Sequence, residues 1–240
     1  MTAPTATSAG RAAAWLVHAL TASGAVLAWL AVEAVNAGAL RSAFVWLTVS
    51  TLVDAVDGAL ARLAHVRTRL PLFDGARLDD IVDYLTFVFV PVWILRTTGA
   101  LPAGPAGTLV ASAVLLSSAY GFSRTDAKTP DHFFTGFPSY WNIAALYLVA
   151  FGTGPAVNAA VLLALAVMVF VPIGYVYPSR TPTLRGVTVG LGIVWCVTVL
   201  AIIWRLPSPP RWLVVGSLAY PVYYTVLSFI LHARRRIRPA

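Results

Sequence analysis

Apolar runs close to the ~20 residues that a helix needs to cross a hydrocarbon core recur from one end of this chain to the other. That pattern limits the possible folds more than any other feature. Hydrophobic side chains make up 59% of the 240 residues and charged ones only 11%. A soluble domain carries roughly 25% charged residues. A compact core cannot hide so much apolar surface, so lipid must solvate the remainder. The sequence predicts an all-α, polytopic membrane protein of about eight transmembrane helices in a single domain, residues 1–240. The spans fall near 14–35, 40–61, 77–95, 107–122, 139–153, 157–176, 187–204 and 212–232, with Gly and Pro in the breaks at 99–107, 152–155 and 205–211. No internal repeat stands out.

The formal net charge of +8 would suggest nucleic acid in a soluble protein. Here the arginines sit in short loops between apolar runs, where they act as topology signals and lipid-headgroup contacts. No nucleic-acid partner is expected. With a cytoplasmic N-terminus, eight spans place Arg11, Arg62, Arg67, Arg69, Arg77, Arg124, Lys128, Arg180, Arg185, Arg234, Arg235, Arg236 and Arg238 on the cytoplasmic side. Arg41, Arg96, Arg205 and Arg211 fall opposite. Thirteen of the 17 basic residues on one side satisfies the positive-inside rule and predicts that both termini are cytoplasmic. Arg11 ahead of the stretch 12–35 resembles a secretory signal, but that stretch is long and more spans follow it, so a retained first helix is expected. The one cysteine, Cys196, lies in an apolar run and is read as a packing residue.

The acids are more informative. Six of the nine (Asp54, Asp57, Asp74, Asp79, Asp80 and Asp83) fall within one 30-residue window. Asp126 and Asp131 lie in the loop after the fourth span, on the same predicted side, and only Glu33 falls elsewhere. A carboxylate inside a spanning helix costs about 2.5–3.5 kcal/mol on insertion scales. A cluster of them needs a compensating partner, and a divalent metal is the obvious one. Asp54 and Asp57 are three residues apart, and Asp79 and Asp83 four apart, so each pair shares a helix face. Four converging carboxylates suit Mg²⁺ or Mn²⁺. Gly58 and Gly75, one turn from aspartates, leave room for a phosphate ester, and the planar fork of Arg62 suits a phosphate. Asp80 is about 100° round the helix from Asp79 and Asp74 is read as a loop carboxylate, so neither joins the set.

The string Asp54-x-x-Asp57-Gly58-x-x-Ala61-Arg62…Gly75-x-x-x-Asp79-x-x-x-Asp83 resembles the signature of the CDP-alcohol phosphatidyltransferase family. The twelve residues between Arg62 and Gly75 exceed the usual family spacing and resemble the variant found in its bacterial phosphatidylcholine synthase branch. The segments 17–28, 78–91, 125–143 and 171–181 resemble that branch too. The resemblance implies that Asp54, Asp57, Asp79 and Asp83 hold two divalent ions, Mn²⁺ or Mg²⁺, on the diphosphate of CDP-diacylglycerol. It implies that Gly58, Ala61, Arg62 and Gly75 line the CDP site, and that Asp83 is the general base. The implied reaction gives phosphatidylcholine and CMP from CDP-diacylglycerol and choline. A homodimer and a bacterial inner (cytoplasmic) membrane location are implied as well, and the skew of basic residues puts the active site on the cytoplasmic face.

Choline carries a quaternary ammonium, best held by aromatic faces and a nearby carboxylate. The loop residues Asp126, Asp131, His132, Phe133, Phe134, Phe137, Tyr140 and Trp141, with Tyr84 and Phe87 on the third span, offer such a box. An interfacial aromatic belt is the competing reading of the same rings. A hydrogen-bonded structural role competes for His132, and His18, early in the first span, is near the same face. Other acceptors (inositol phosphate, glycerol phosphate, serine or ethanolamine) remain the alternative, kept open by Arg124, Lys128, Arg180 and Arg185. A transporter fits less well, because the charges cluster at one end of the spans rather than near the midplane.

Overall fold

The computed structural model describes residues 7–178 and 180–237; Arg238, counted above, lies outside the described residues. The chain divides into two compact units, residues 1–90 and 91–240.

The first unit consists of α1 (Ser8–Asn36), α2 (Leu40–Leu63), the single turn α3 (Val66–Arg69) and α4 (Gly75–Asp83). After α4 the backbone widens into a π-helical stretch, Tyr84–Phe89. Thr7 starts α1, its Oγ1 accepting the Gly10 N–H at 3.2 Å. Asp74 starts α4, its Oδ1 accepting the N–H groups of Ala76 and Arg77 at 3.1 and 3.2 Å. Asp74 is therefore a helix cap whose charge also favours the positive end of the helix dipole, and not a plain loop carboxylate.

Helix α1 is the element the others share, packing against α2, α3, α4 and the π-helical stretch. It runs parallel to α4, with His18 beside Gly75 and Gly24 beside Val82. Against α2 it runs antiparallel, since Gly24 lies by Ser50 and Thr21 by Asp57. A Cβ at Gly24 would come within 2.4 Å of Val82 Cγ1, so only glycine allows this approach of α1 to α4.

The second unit opens within α5 (Val90–Thr97) and continues with α6 (Gly104–Ser123), β1 (Phe133–Thr135), α7 (Trp141–Phe151) and α8 (Pro155–Phe170). Then come β2 (Gly174–Val176), α9 (Arg185–Trp204), α10 (Arg211–Ser217) and α11 (Ala219–Ile237). The strands pair antiparallel, Phe133 with Val176 and Thr135 with Gly174, and α11 packs on β2. Helix α9 exposes Leu191, Ile193, Val194, Val197 and Leu200, apolar on every side as expected of a lipid-embedded helix.

This is a multi-pass membrane protein. Among the described residues, five helices are long and apolar enough to span: Ser8–Asn36, Leu40–Leu63, Gly104–Ser123, Arg185–Trp204 and Arg211–Arg235. The other three expected spans differ in form. The third is divided among α4, the π-helical stretch and α5. Helix α7 has 11 residues and α8 has 16, about 16 and 24 Å of helix against a hydrocarbon core of about 30 Å. The expected span 157–176 ends early at Phe170, because Pro172 removes a donor and forces Val171 out of the helical region (φ −81°, ψ 120°). The last span breaks at Leu218, where Pro221 cannot donate to the carbonyl of Ser217.

Candidate metal and nucleotide site

Helix α2 carries Asp54 and Asp57 near its C-terminal end, and α4 carries Asp79 and Asp83. Packing in the first unit brings carboxylate oxygens of Asp54, Asp57 and Asp79 within 4.8 Å of one another. Asp57 is buried, 6% exposed, and Asp54 and Asp79 are half-buried. Two unit charges at that separation repel by about 3.5 kcal/mol at an effective dielectric of about 20. Three such carboxylates form a hard-oxygen donor set that fits a divalent cation. Asp83 is not one of the three; it lies one turn beyond Asp79, half-buried, as the last residue of α4. Asp80 is exposed, as its place on the adjacent helix face predicts.

Thr21 on α1 orients Asp57, donating from Oγ1 to Oδ2 at 2.7 Å with both groups buried. The sequence reading missed this contact. Its only signal was the three-residue spacing of His18 and Thr21, which puts both on one face of α1.

The expected nucleotide residues take different positions. Among the described residues, a Cβ on Gly58 would meet only the Arg62 guanidinium, at an ordinary 3.7 Å, so this face of α2 is open beside the arginine. Both residues are exposed. Ala61 packs against the buried cluster of Ala14, Val66 and Leu70. At Gly75 the space is already taken: a Cβ would lie 2.5 Å from His18 Cε1. Tyr84, half-buried, opens the π-helical stretch directly after Asp83.

The other expected choline contacts lie in the second unit, where several already have partners. Arg124 donates to both oxygens of Asp126 at 2.8 and 2.7 Å, holding that carboxyl below its ordinary range. Arg235 meets Asp131 at 2.7 Å and lies 4.3 Å over the ring of buried Phe133. The His132 carbonyl accepts from Thr181 at 2.7 Å, and the residue is exposed. Trp141 is fully buried and donates to Ser118 at 2.7 Å. The rings that stay half-buried are Phe134, stacked on Tyr177 at 4.7 Å, Tyr140, 6.5 Å from Tyr224, and Phe137, edge-on to Trp141 at 5.2 Å.

A bundle of apolar helices with carboxylates gathered at one end defines a membrane-embedded protein that can bind a divalent metal. The chain belongs to the CDP-alcohol phosphatidyltransferase family, whose model matches residues 8–173 and so includes the aspartate cluster. Three of its relatives carry one name. It is 40% identical to a phosphatidylcholine synthase of Legionella pneumophila, over 90% of this chain and 88% of that one. It is 43% identical to the phosphatidylcholine synthase of Legionella bozemanae over 77% and 88%, and 35% identical to that of Rhizobium meliloti over 91% and 90%.

Proposed function

We propose that this protein is a phosphatidylcholine synthase, with residues 1–240 serving as one catalytic domain. The observation that carries the reading is the convergence of Asp54, Asp57 and Asp79 on the family's signature string. These three and Asp83 would hold the metal, in this reading two ions of Mg²⁺ or Mn²⁺. When bound, these ions supply charge neutralisation at a diphosphate that carboxylates alone would repel. Arg62, beside the open face at Gly58, adds a fork for phosphate oxygens. The choline oxygen bonds to the phosphorus that carries diacylglycerol, the bond from that phosphorus to the CMP oxygen breaks, and CMP departs. The hydroxyl proton goes to the Asp83 carboxylate. Choline as acceptor is supported by the names of the relatives.

The test is an assay of the purified protein with CDP-diacylglycerol, Mn²⁺ and a panel of labelled choline, ethanolamine, serine, glycerol phosphate and inositol phosphate, reading both lipid and CMP. Choline should give phosphatidylcholine and CMP in equal amounts. Excess EDTA should abolish turnover and added Mn²⁺ or Mg²⁺ should restore it. Full turnover in EDTA, or preference for another acceptor, would reject the corresponding part of the reading.

The same reading places the acid cluster and both termini on the cytoplasmic side of a bacterial inner membrane, supported by the skew of arginines toward that side. Reporter fusions after residue 137 and at the C-terminus should both signal cytoplasm, and fusions near Gly99 and Ser208 the opposite compartment. A periplasmic signal from the fusion after residue 137 would refute this orientation.

A further inference from the structure

The first unit contains a buried polar atom that the chemistry above does not use. His18 is 5% exposed, and its Nε2 has no hydrogen-bond partner among the described residues. A buried polar group left without a partner is costly, so an unpaired imidazole nitrogen points to a ligand that would pair it. The imidazole is fixed in place. Its ring centroid is 4.4 Å from that of Phe73 and 5.9 Å from that of Trp15, and Gly75 leaves it the space a Cβ would take.

The position of His18 tells which part of a ligand it meets. On α1 it precedes Thr21, the residue bound to Asp57, by three positions, or about 4.5 Å of helix rise. On α4 its neighbour Gly75 precedes Asp79 by four positions, about 6 Å. Since α1 and α4 run parallel, both offsets point the same way, toward the end of the unit where these helices begin. The long apolar remainder of α1 lies on the other side of the carboxylates. A lipid whose diphosphate sits at the carboxylates must send its acyl chains along that apolar length and its nucleoside toward the end where His18 lies.

We propose that His18 is a substrate-binding residue whose Nε2 hydrogen-bonds the nucleoside of CDP-diacylglycerol, at a ribose hydroxyl or the polar edge of the pyrimidine. The proposal rests on the diphosphate reading of the aspartate cluster, and goes beyond it by separating recognition of the nucleoside from recognition of the diphosphate.

Isothermal titration of the full chain in lipid nanodiscs with Mn²⁺, using CDP and inorganic pyrophosphate as two separate probes, tests it. His18→Ala should weaken CDP binding about three- to tenfold, the worth of one hydrogen bond, and leave pyrophosphate binding unchanged. His18→Gln, whose amide nitrogen reaches a similar point, should recover most of the CDP affinity, and it covers the case in which the alanine variant fails to fold. Equal losses for CDP and pyrophosphate in both variants would mean that His18 only supports packing, and would overturn the proposal while sparing the diphosphate reading. Unchanged CDP affinity in a folded His18→Ala would overturn it too. A wild-type protein that bound neither probe would overturn the diphosphate reading and this proposal together.

Discussion

The Asp83→Asn variant is expected to bind CDP-diacylglycerol and to turn it over about 10²–10⁴-fold more slowly, the range typical for loss of a general base. An alcohol with a solution pKa far above 7 needs an acceptor for its proton as it attacks phosphorus, and the amide keeps the shape of the carboxylate without that capacity. The geometry makes the separation of roles testable. The carboxylates of Asp54, Asp57 and Asp79 form the close cluster, and Asp83 stands one turn away at the end of α4. Asp80→Asn is the control, because Asp80 is exposed on the neighbouring face and should stay near wild-type rate. Single-turnover rates measured beside CDP titrations distinguish the outcomes. If Asp80→Asn lost the rate and Asp83→Asn kept it, the base would be Asp80 and the assigned helix face would be wrong.

Asp57→Asn should fail differently, losing metal and nucleotide binding together. Asp57 is the buried member of the cluster, and its charge is the one least screened by water. Thr21→Val tests the same carboxylate from its far side. Valine keeps the shape of threonine and removes the donor at 2.7 Å, which releases Asp57 from its orientation without touching its charge. Loss of such a supporting contact costs about 10–100-fold in metal affinity or activity, and loss of the ligand itself should exceed that. The two changes should not add: in an Asp57→Asn background, Thr21→Val should cost little more. Mn²⁺ titration of the four proteins measures the coupling, and additive losses would show that Thr21 acts elsewhere.

The sequence showed the membrane class, because apolar runs at span length are a one-dimensional signal. It showed the four aspartates for a similar reason: spacings of three and four put Asp54 with Asp57, and Asp79 with Asp83, on shared faces within single helices. Spacing says nothing about register between helices, which decides that Asp54, Asp57 and Asp79 form the close group. The Thr21–Asp57 bond, the fit of His18 against Gly75 and the pairing of Phe133 with Val176 were hidden for the same reason. Each joins residues far apart in the chain. The early end of α8 was legible in Val171-Pro172, but the apolar run continues through it and hydropathy alone passes over the proline. The cap at Asp74 was also legible, from an acid just before a helical pattern.

Helix α1 carries none of the four signature aspartates, yet it meets both helices that do: α2 through Thr21 and Asp57, and α4 through Gly24 and Val82 and through His18 and Gly75. In genetic terms, α1 is where alleles that break the enzyme can arise with the aspartate string intact. A change at Gly24 or Thr21 would disturb the packing around the cluster and leave the aspartate string unaltered. Surveys of natural variants that grade this family by its aspartates alone will count such genes as functional. Suppressors of weak aspartate alleles should map back to the same face of α1.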